Sequence, residues 1–347
     1  MFFILYITAE LNPYFLTCLI MNDNFISVSY KSMEQEPTVY TGYDMHPCYK
    51  IHNASNMQRS PSTKCVLLYV FLGSLSVVTT CGNLLVIISI IYFKQLHTPT
   101  NYLVLSLAVA DLLVGTFVFP SSMVFPFSLC LYHENLVCKV RDCFDVSLCA
   151  SSILNLCCIS IDRYHAVCQP LTYRAKINHH NAVVMIILSW TVSIVTGIGF
   201  TLSDQKNCTQ PCTTSIGFTV TFYLPVIVML CIYLKIFFVA QRHARSIQNT
   251  TKSRATVSKM ERKATKTLAI VMGVFLGCWF PFFFCITFLS VSISVPVPVI
   301  EALNWLVFSN SMLNPFIYAF FFSWFRSAFR MIISGRIFQG DFTNSKL

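Results

Sequence analysis

A chain of 347 residues with 55% hydrophobic and only 11% charged side chains is too poor in charge for a water-soluble globular protein, in which about 25% of residues are charged. Its formal net charge of +10 would suit a nucleic-acid partner only if a water-soluble domain carried it, and the apolar stretches leave no room for one. A soluble enzyme and a nucleic-acid binder are both excluded.

Residues 1–64 read as an outer tail. Its opening, MFFILYITAELNPYFLTCLIM, is apolar but lacks a basic leading region, and Glu10, Asn12 and Pro13 interrupt it, so it reads as neither signal peptide nor span. Translation is expected to begin at Met21 or Met33, with residues 1–32 an artefact of the gene prediction.

Seven apolar stretches follow, at about 66–93, 101–127, 137–168, 182–203, 214–240, 263–290 and 300–322, each long enough to span a bilayer and each ended by polar, proline or basic clusters. Basic residues cluster on one side: Lys94 and His97, Arg174 and Lys176, Arg242 through Lys263 between the fifth and sixth spans, and Arg326, Arg330 and Arg336 after the seventh. The positive-inside rule makes that side cytoplasmic and the N-terminus extracellular. The excess positive charge then meets anionic membrane lipid. The sequons at Asn53 and Asn207 fall outside, where they are open to glycosylation, whereas Asn249-Thr-Thr falls inside and stays bare.

Polar residues within the spans come in a set order. Gly82-Asn83 lies in the first, Asp111 in the second, Asp162-Arg163-Tyr164 at the inner end of the third and Trp190 in the fourth. Pro225 and Tyr233 lie in the fifth, Cys278-Trp279-Phe280-Pro281 in the sixth and Asn314-Pro315-Phe316-Ile317-Tyr318 in the seventh. This order and spacing closely resemble the rhodopsin-like G-protein-coupled receptors over about residues 65–335. The fold so implied is an all-α seven-transmembrane helix bundle with a short amphipathic eighth helix near 324–335 and a cytoplasmic tail at 336–347. Physically, Pro225, Pro281 and Pro315 remove backbone donors and leave hinges with two packings. Arg163 needs a counter-charge near the inner membrane face, for which Asp162 and Glu261 are both candidates. Release of Arg163 as the sixth helix swings outward is the activation step that the resemblance implies.

A carboxylate at membrane depth costs roughly 2.5–3.5 kcal/mol on insertion scales, so Asp111 and Asp145 are expected to face internal cavities. By resemblance, Asp111 with Ser152, Asn310 and Asn314 lines a small cavity for an allosteric sodium ion, and oxygen ligands suit so hard a cation. The alternative is a protonated Asp111 hydrogen-bonded to its neighbours. No other cofactor or metal is expected.

Asp145 lies seven residues, about two helical turns, after Cys138 at the outer end of the third span. No Lys or Arg in the outer halves of the other spans is an evident partner, and Lys139 and Arg141 on its own helix are placed to snorkel outward with Asp142 satisfying them. Asp145 resembles the amine-binding aspartate of biogenic-amine receptors. Val146 and Cys149 beside it, Thr221 from the fifth span, Trp279, Phe282 and Phe283 from the sixth, and Trp305 and Phe308 from the seventh complete the expected site. Aromatic faces near a carboxylate suit an ammonium group through cation–π attraction of roughly 0.5–2 kcal/mol, although the same rings also serve plain core packing. The fifth span offers Gly217-Phe218-Thr219-Val220-Thr221 where catecholamine receptors place serines, so the expected ligand is a small, largely apolar amine.

The run Asn310-Ser311-Met312-Leu313-Asn314-Pro315-Phe316-Ile317-Tyr318-Ala319-Phe320-Phe321-Phe322-Ser323-Trp324-Phe325, with Lys263–Leu268 and Ser334–Phe338, is similar to trace amine-associated receptors, most of which serve olfaction. That resemblance implies a stimulatory or olfactory heterotrimeric G protein and a rise in cyclic AMP. It also implies the plasma membrane, or the cilia of olfactory neurons, as the location. Of 16 Cys, those inside the spans read as buried thiols. The resemblance pairs Cys138 with Cys212 and Cys48 with Cys208, with Cys130 a competing partner. Two features depart from it. Phe308 replaces a tyrosine whose hydroxyl helps hold the aspartate, and no Cys follows the seventh span to carry a palmitoyl anchor, which leaves membrane contact of the eighth helix to its aromatics, Arg326 and Arg330.

A receptor for serotonin or histamine is the neighbouring reading, separable by tissue of expression. A transporter is the reading from another class, but the chain shows no internal repeat, and no nucleophile–base set or HExxH-like pair supports an enzyme. Peptide mass spectra of the natively expressed protein should contain nothing from residues 1–20. A peptide from that segment would disprove the later start.

Overall fold

A backbone out of reach of water must satisfy its own N–H and C=O groups, which is why the apolar stretches fold as helices. The computed structural model describes residues 49–52, 56–59, 63–124, 136–202, 222–247, 270–286 and 295–335. Cys48, Asn53, Cys130, Asn207, Cys208, Cys212, Thr221, Asn249 and Glu261 lie outside the described residues, as do both terminal segments.

The helices are α1 (Thr63–Tyr92), α2 (Pro99–Val124), α3 (Leu136–Cys168), α4 (His179–Leu202), α5 (Leu224–Ile247), α6 (Ile270–Phe284), α7 (Val297–Phe321) and α8 (Ser323–Ile333). A single helical turn, Tyr173–Lys176, stands between α3 and α4. α1 to α4 are each long and apolar enough to cross a membrane. Expected and observed boundaries agree within a few residues for most spans. α5 runs to Ile247 rather than stopping near 240, because its helix continues through Arg242 and Arg245 after the apolar stretch has ended, whereas the expected start of the fifth span near 214 and the expected ends of the sixth near 263 and 290 lie outside the described residues. The outer tail also holds a small antiparallel hairpin, β1 (Tyr49–His52) with β2 (Asn56–Arg59), which no sequence pattern announced.

The bundle is apolar outside and polar within. Phe117, Ile187, Val195, Phe238, Phe280 and Phe320 are exposed on its surface, whereas Asn83, Asp111, Ser152, Asn155, Asn310 and Asn314 are buried. That is the reverse of a water-soluble bundle and what a lipid surround selects. Polar side chains link the helices. Asn83 Nδ2 donates to the Ser311 carbonyl at 3.1 Å, Trp190 Nε1 to Ser106 Oγ at 3.0 Å, and the Tyr233 and Ser160 hydroxyls lie 3.1 Å apart. These bonds tie α1 to α7, α4 to α2 and α5 to α3.

Local chemistry places the functional segments. α2 starts with Thr98 accepting from Asn101 N and Pro99 in its first turn. Further along it opens into a π turn, Val114–Val118. Pro120 has no N–H to give back, and the Gly115 carbonyl accepts instead from Ser76 Oγ at 2.7 Å. The extra residue of a π turn rotates everything after it by about 100°, and here it carries Phe119 fully into the core. α7 meets α8 through a 101° turn, where Arg326 Nη1 donates to the carbonyls of Ala319 at 3.1 Å and Phe320 at 3.0 Å. Arg326 therefore caps the C-terminal end of α7, a role the sequence reading did not give it. Phe325 and Ala328 of α8 pack onto α1, Phe329 and Arg330 point outward, and Gly335 ends the helix at φ +66°.

α3 and α4 cross closely at Gly197. A Cβ there would lie 2.0 Å from Ser147 Oγ and 2.7 Å from the Cys143 carbonyl, on the turns flanking Asp145. Gly197→Ala should therefore cost roughly 1–3 kcal/mol and lower the melting temperature of the detergent-solubilised protein by several degrees. Gly199→Ala meets nothing within 4 Å and serves as the control; an equal effect of the two would refute the close crossing.

Candidate functional site

The outer third of α3 concentrates charge. Asp145 does not stand alone: Arg141, one turn earlier, turns inward and is buried, with Nη2 3.0 Å from Asp145 Oδ2. Nη1 of the same guanidinium lies 3.6 Å from Asp142 Oδ1, whose side chain is 41% exposed. The expected outward snorkelling of Arg141 is thus corrected. The lipid-facing side of α3 offers a guanidinium no partner, while Asp145 is within reach at i,i+4. Lys139 is exposed as expected. Asp145 Oδ1, Arg141 Nε and Arg141 Nη1 are buried without a hydrogen-bond partner among the described residues.

Rings form two groups within one core. Trp279 stacks with Phe283 at 5.8 Å between centroids, Phe282 meets Phe283 edge-on at 5.4 Å, and Phe222 stacks on Phe283 at 3.5 Å. Trp305 and Phe308 join Phe119 at 5.6 and 5.9 Å. Cys149 packs against this core, and Val146 is half-buried beside Asp145. Phe119, Phe222 and Tyr223 were missed by sequence reasoning. The π turns in which Phe222 and Tyr223 lie, and which precede Phe119, shift the helical register without a readable sequence signal. Phe308 has no hydroxyl to offer Asp145, and Arg141 holds that carboxylate instead. Cys138 is in a disulfide, its partner lying outside the described residues.

Deeper in the bundle, fully buried Asp111 accepts from Ser152 Oγ at 3.1 Å and from Asn314 Nδ2 at 2.6 Å, with Ser311 also in hydrogen-bonding reach. Asn310 is buried nearby on α7, but its Nδ2 has no partner among the described residues. Carboxylate, hydroxyl and amide oxygens are together the donor set that fits a hard monovalent cation.

At the inner end, Asp162 gathers three partners. Arg163 Nε donates to it at 2.8 Å, Thr100 Oγ1 at 2.9 Å and Tyr173 OH at 2.9 Å, and Arg163 Nη2 contacts both Asp162 and Thr100. Of the two candidates for Arg163, Asp162 is therefore its observed partner. Thr100 and Tyr173 were not foreseen. Burial holds the Tyr173 phenol above its ordinary pKa, so it remains a donor to Asp162 at neutral pH. Lys235 Nζ sits 5.3 Å from the Tyr164 ring centroid. Tyr318 is buried and packs edge-on against Phe322 and Phe325. Pro315 touches α1 so closely that a Cβ at Gly82 would come within 3.0 Å of its ring.

Residues 82–318 match the family of seven-transmembrane receptors of the rhodopsin type. Trace amine-associated receptor 1 of Mus musculus is 42% identical over 332 residues, 87% of this chain and 99% of the relative. Trace amine-associated receptor 4 of Mus musculus is 39% identical over 341 residues, covering 90% and 98%, and receptor 9 is 40% identical over 331 residues, covering 87% and 95%. These are receptors and not enzymes, and the transporter reading falls with them. With its helices, its polar core and these relatives in agreement, the chain belongs to the rhodopsin family of multi-pass G-protein-coupled receptors, among the relatives of the trace amine-associated receptors.

Proposed function

We propose that this chain is a receptor for small amines, acting at the plasma membrane, in olfactory cilia where it is expressed there, and coupling through a stimulatory or olfactory G protein to raise cyclic AMP. The observation that carries the reading is Asp145: a carboxylate 13% exposed, in the outer third of α3, with Oδ1 buried and without a partner among the described residues, on a helix that packs into the large aromatic core. Arg141 takes Oδ2 and is itself shared with Asp142, so the three groups sum to one negative charge and still attract one ammonium. The relatives' names point to the same ligand class.

In this reading the ammonium pairs with Asp145 while the ligand body packs on Trp279, Phe282 and Phe283 at the head of α6 and on Trp305 and Phe308 of α7. Val146, Cys149 and Thr221 complete the wall. Ligand shifts the receptor only by binding its active arrangement more tightly, by about 5.5 kcal/mol for a change from 1:99 to 99:1. The arrangement described here has the resting features: Arg163 is held by Asp162, and Tyr233 is bonded to Ser160. Activation frees Arg163, Tyr164 and Tyr233 for the G protein, with Asn314, Pro315 and Tyr318 as the hinge of α7 and Glu261 as a second counter-charge for Arg163. Sodium at Asp111, Ser152, Asn310 and Asn314 favours the resting state by supplying positive charge to a buried carboxylate. Disulfides Cys138–Cys212 and Cys48–Cys208 and glycans at Asn53 and Asn207 complete the outer face.

Cells expressing the chain should raise cyclic AMP on exposure to some members of a panel of volatile primary, secondary and tertiary amines. Asp145→Asn, matched in shape, should weaken the response by roughly 30-fold or more at equal surface expression, since removing one partner of a buried charge pair costs about 2–5 kcal/mol. An undiminished response would exclude the ion pair as anchor.

In membranes, replacing sodium with an organic cation should raise amine affinity several-fold in the wild type. In Asp111→Asn it should change nothing. Insensitivity of the wild type would favour a protonated, hydrogen-bonded Asp111.

A further inference from the structure

Arg141 is the side chain of this site that the amine reading leaves half-used. Its side chain is 6% exposed, and one of its contacts, 3.6 Å to Asp142, is too long for a hydrogen bond. A guanidinium offers five N–H donors in one plane, and Nε and Nη1 here have no acceptor among the described residues. A buried donor left unpaired is destabilising, so an acceptor supplied by a ligand is favoured there over an apolar group. The neighbouring Asp145 Oδ1 has the opposite need. The Arg141 guanidinium touches the Asp145 carboxylate, Nη2 to Oδ2 at 3.0 Å, so the unpartnered atoms of both groups lie within the reach of a single short molecule.

We propose that the preferred ligand carries, besides its ammonium, a neutral hydrogen-bond-accepting oxygen, a hydroxyl or an ether, separated from the nitrogen by a short carbon chain. The ammonium takes Asp145 Oδ1 and the oxygen accepts from Arg141 Nε or Nη1. Charge selects the neutral oxygen. Asp142, Arg141 and Asp145 together carry one negative charge, which an ammonium neutralises and a carboxylate would restore. This replaces the largely apolar amine expected from the fifth span, where serines for ring hydroxyls are missing; the polar partner sits on α3 instead. The inference rests on the amine reading above and deepens it.

The test compares methoxyethylamine with butylamine, which differ by one oxygen for one methylene, and adds β-alanine as the carboxylate arm. In wild-type receptor the ether amine should be at least roughly tenfold more potent than the alkylamine in cyclic AMP assays, because a site with an unpaired buried donor discriminates against an analogue lacking the acceptor. In Arg141→Leu, at equal surface expression, that ratio should fall to near one. Arg141→Gln, which keeps a polar group, serves if the leucine variant fails to reach the surface, and should reduce the ratio without abolishing it. Equal potency of the two amines on the wild type, or an unchanged ratio in the variants, would overturn the proposal while leaving the amine receptor intact. β-Alanine outperforming the ether amine would overturn the neutral oxygen in favour of a carboxylate. Silence to every amine would remove the amine reading and this proposal with it.

Discussion

The low-dielectric interior of a bilayer makes every charge carried into it a debt that the bundle itself must settle, and the architecture follows from how that is done. α3 carries charge near both of its ends and settles both locally. At the outer end Arg141 turns inward to Asp145, and at the inner end Asp162 takes Arg163 together with Thr100 and Tyr173. Asp111 of α2, at the centre, has no cation among its protein neighbours; Ser152 of α3 and Asn314 of α7 donate to it instead. Remaining cross-helix cohesion comes from uncharged polar pairs and from small residues. Gly82 against Pro315, Gly115 against Thr80 and Gly197 against Ser147 let backbones approach where lipid supplies no hydrophobic drive for helix association.

Local neutralisation has a functional consequence. An ion pair between neighbours on one helix can exchange partners without any helix leaving the bundle. At the outer end, Asp145 Oδ2 meets Arg141 while Oδ1 is without a partner among the described residues, which in the proposed reading leaves it for an incoming cation. At the inner end, Arg163 is held by its sequence neighbour Asp162. Between the two ends lies one hydrophobic core that holds two ring groups, Phe119, Trp305 and Phe308 in one and Phe222, Trp279, Phe283 and Phe275 in the other. Close-packed rings of this kind transmit displacement in discrete steps.

Phe308 packs on Phe119 and Trp305 and brings no hydroxyl to the carboxylate. Arg141 meets the same requirement from a different helix, with a full charge in place of a hydroxyl dipole. Asp145 Oδ2 is thereby oriented by a guanidinium. In the proposed reading, a purely apolar amine satisfies the carboxylate and leaves Arg141 Nε and Nη1 without an acceptor.

Sequence alone determined the membrane class, the order of the spans and the family, and it supplied an expected orientation. Those properties follow from runs of hydropathy, from basic clusters and from motif order, all of which are local in the chain. Asp145, Asp111, Asp162 and most of the aromatic wall were legible for the same reason, since each is marked by a fixed offset within one helix. Tertiary structure decided what those residues touch. The inward turn of Arg141, the entry of Phe119 and Phe222 after or within π turns, Tyr173 reaching Asp162 from the inner loop, and Arg326 capping α7 all depend on side-chain rotamers and helix register. Hydropathy reports how polar a residue is, but only packing shows which partner lies within about 3 Å of it.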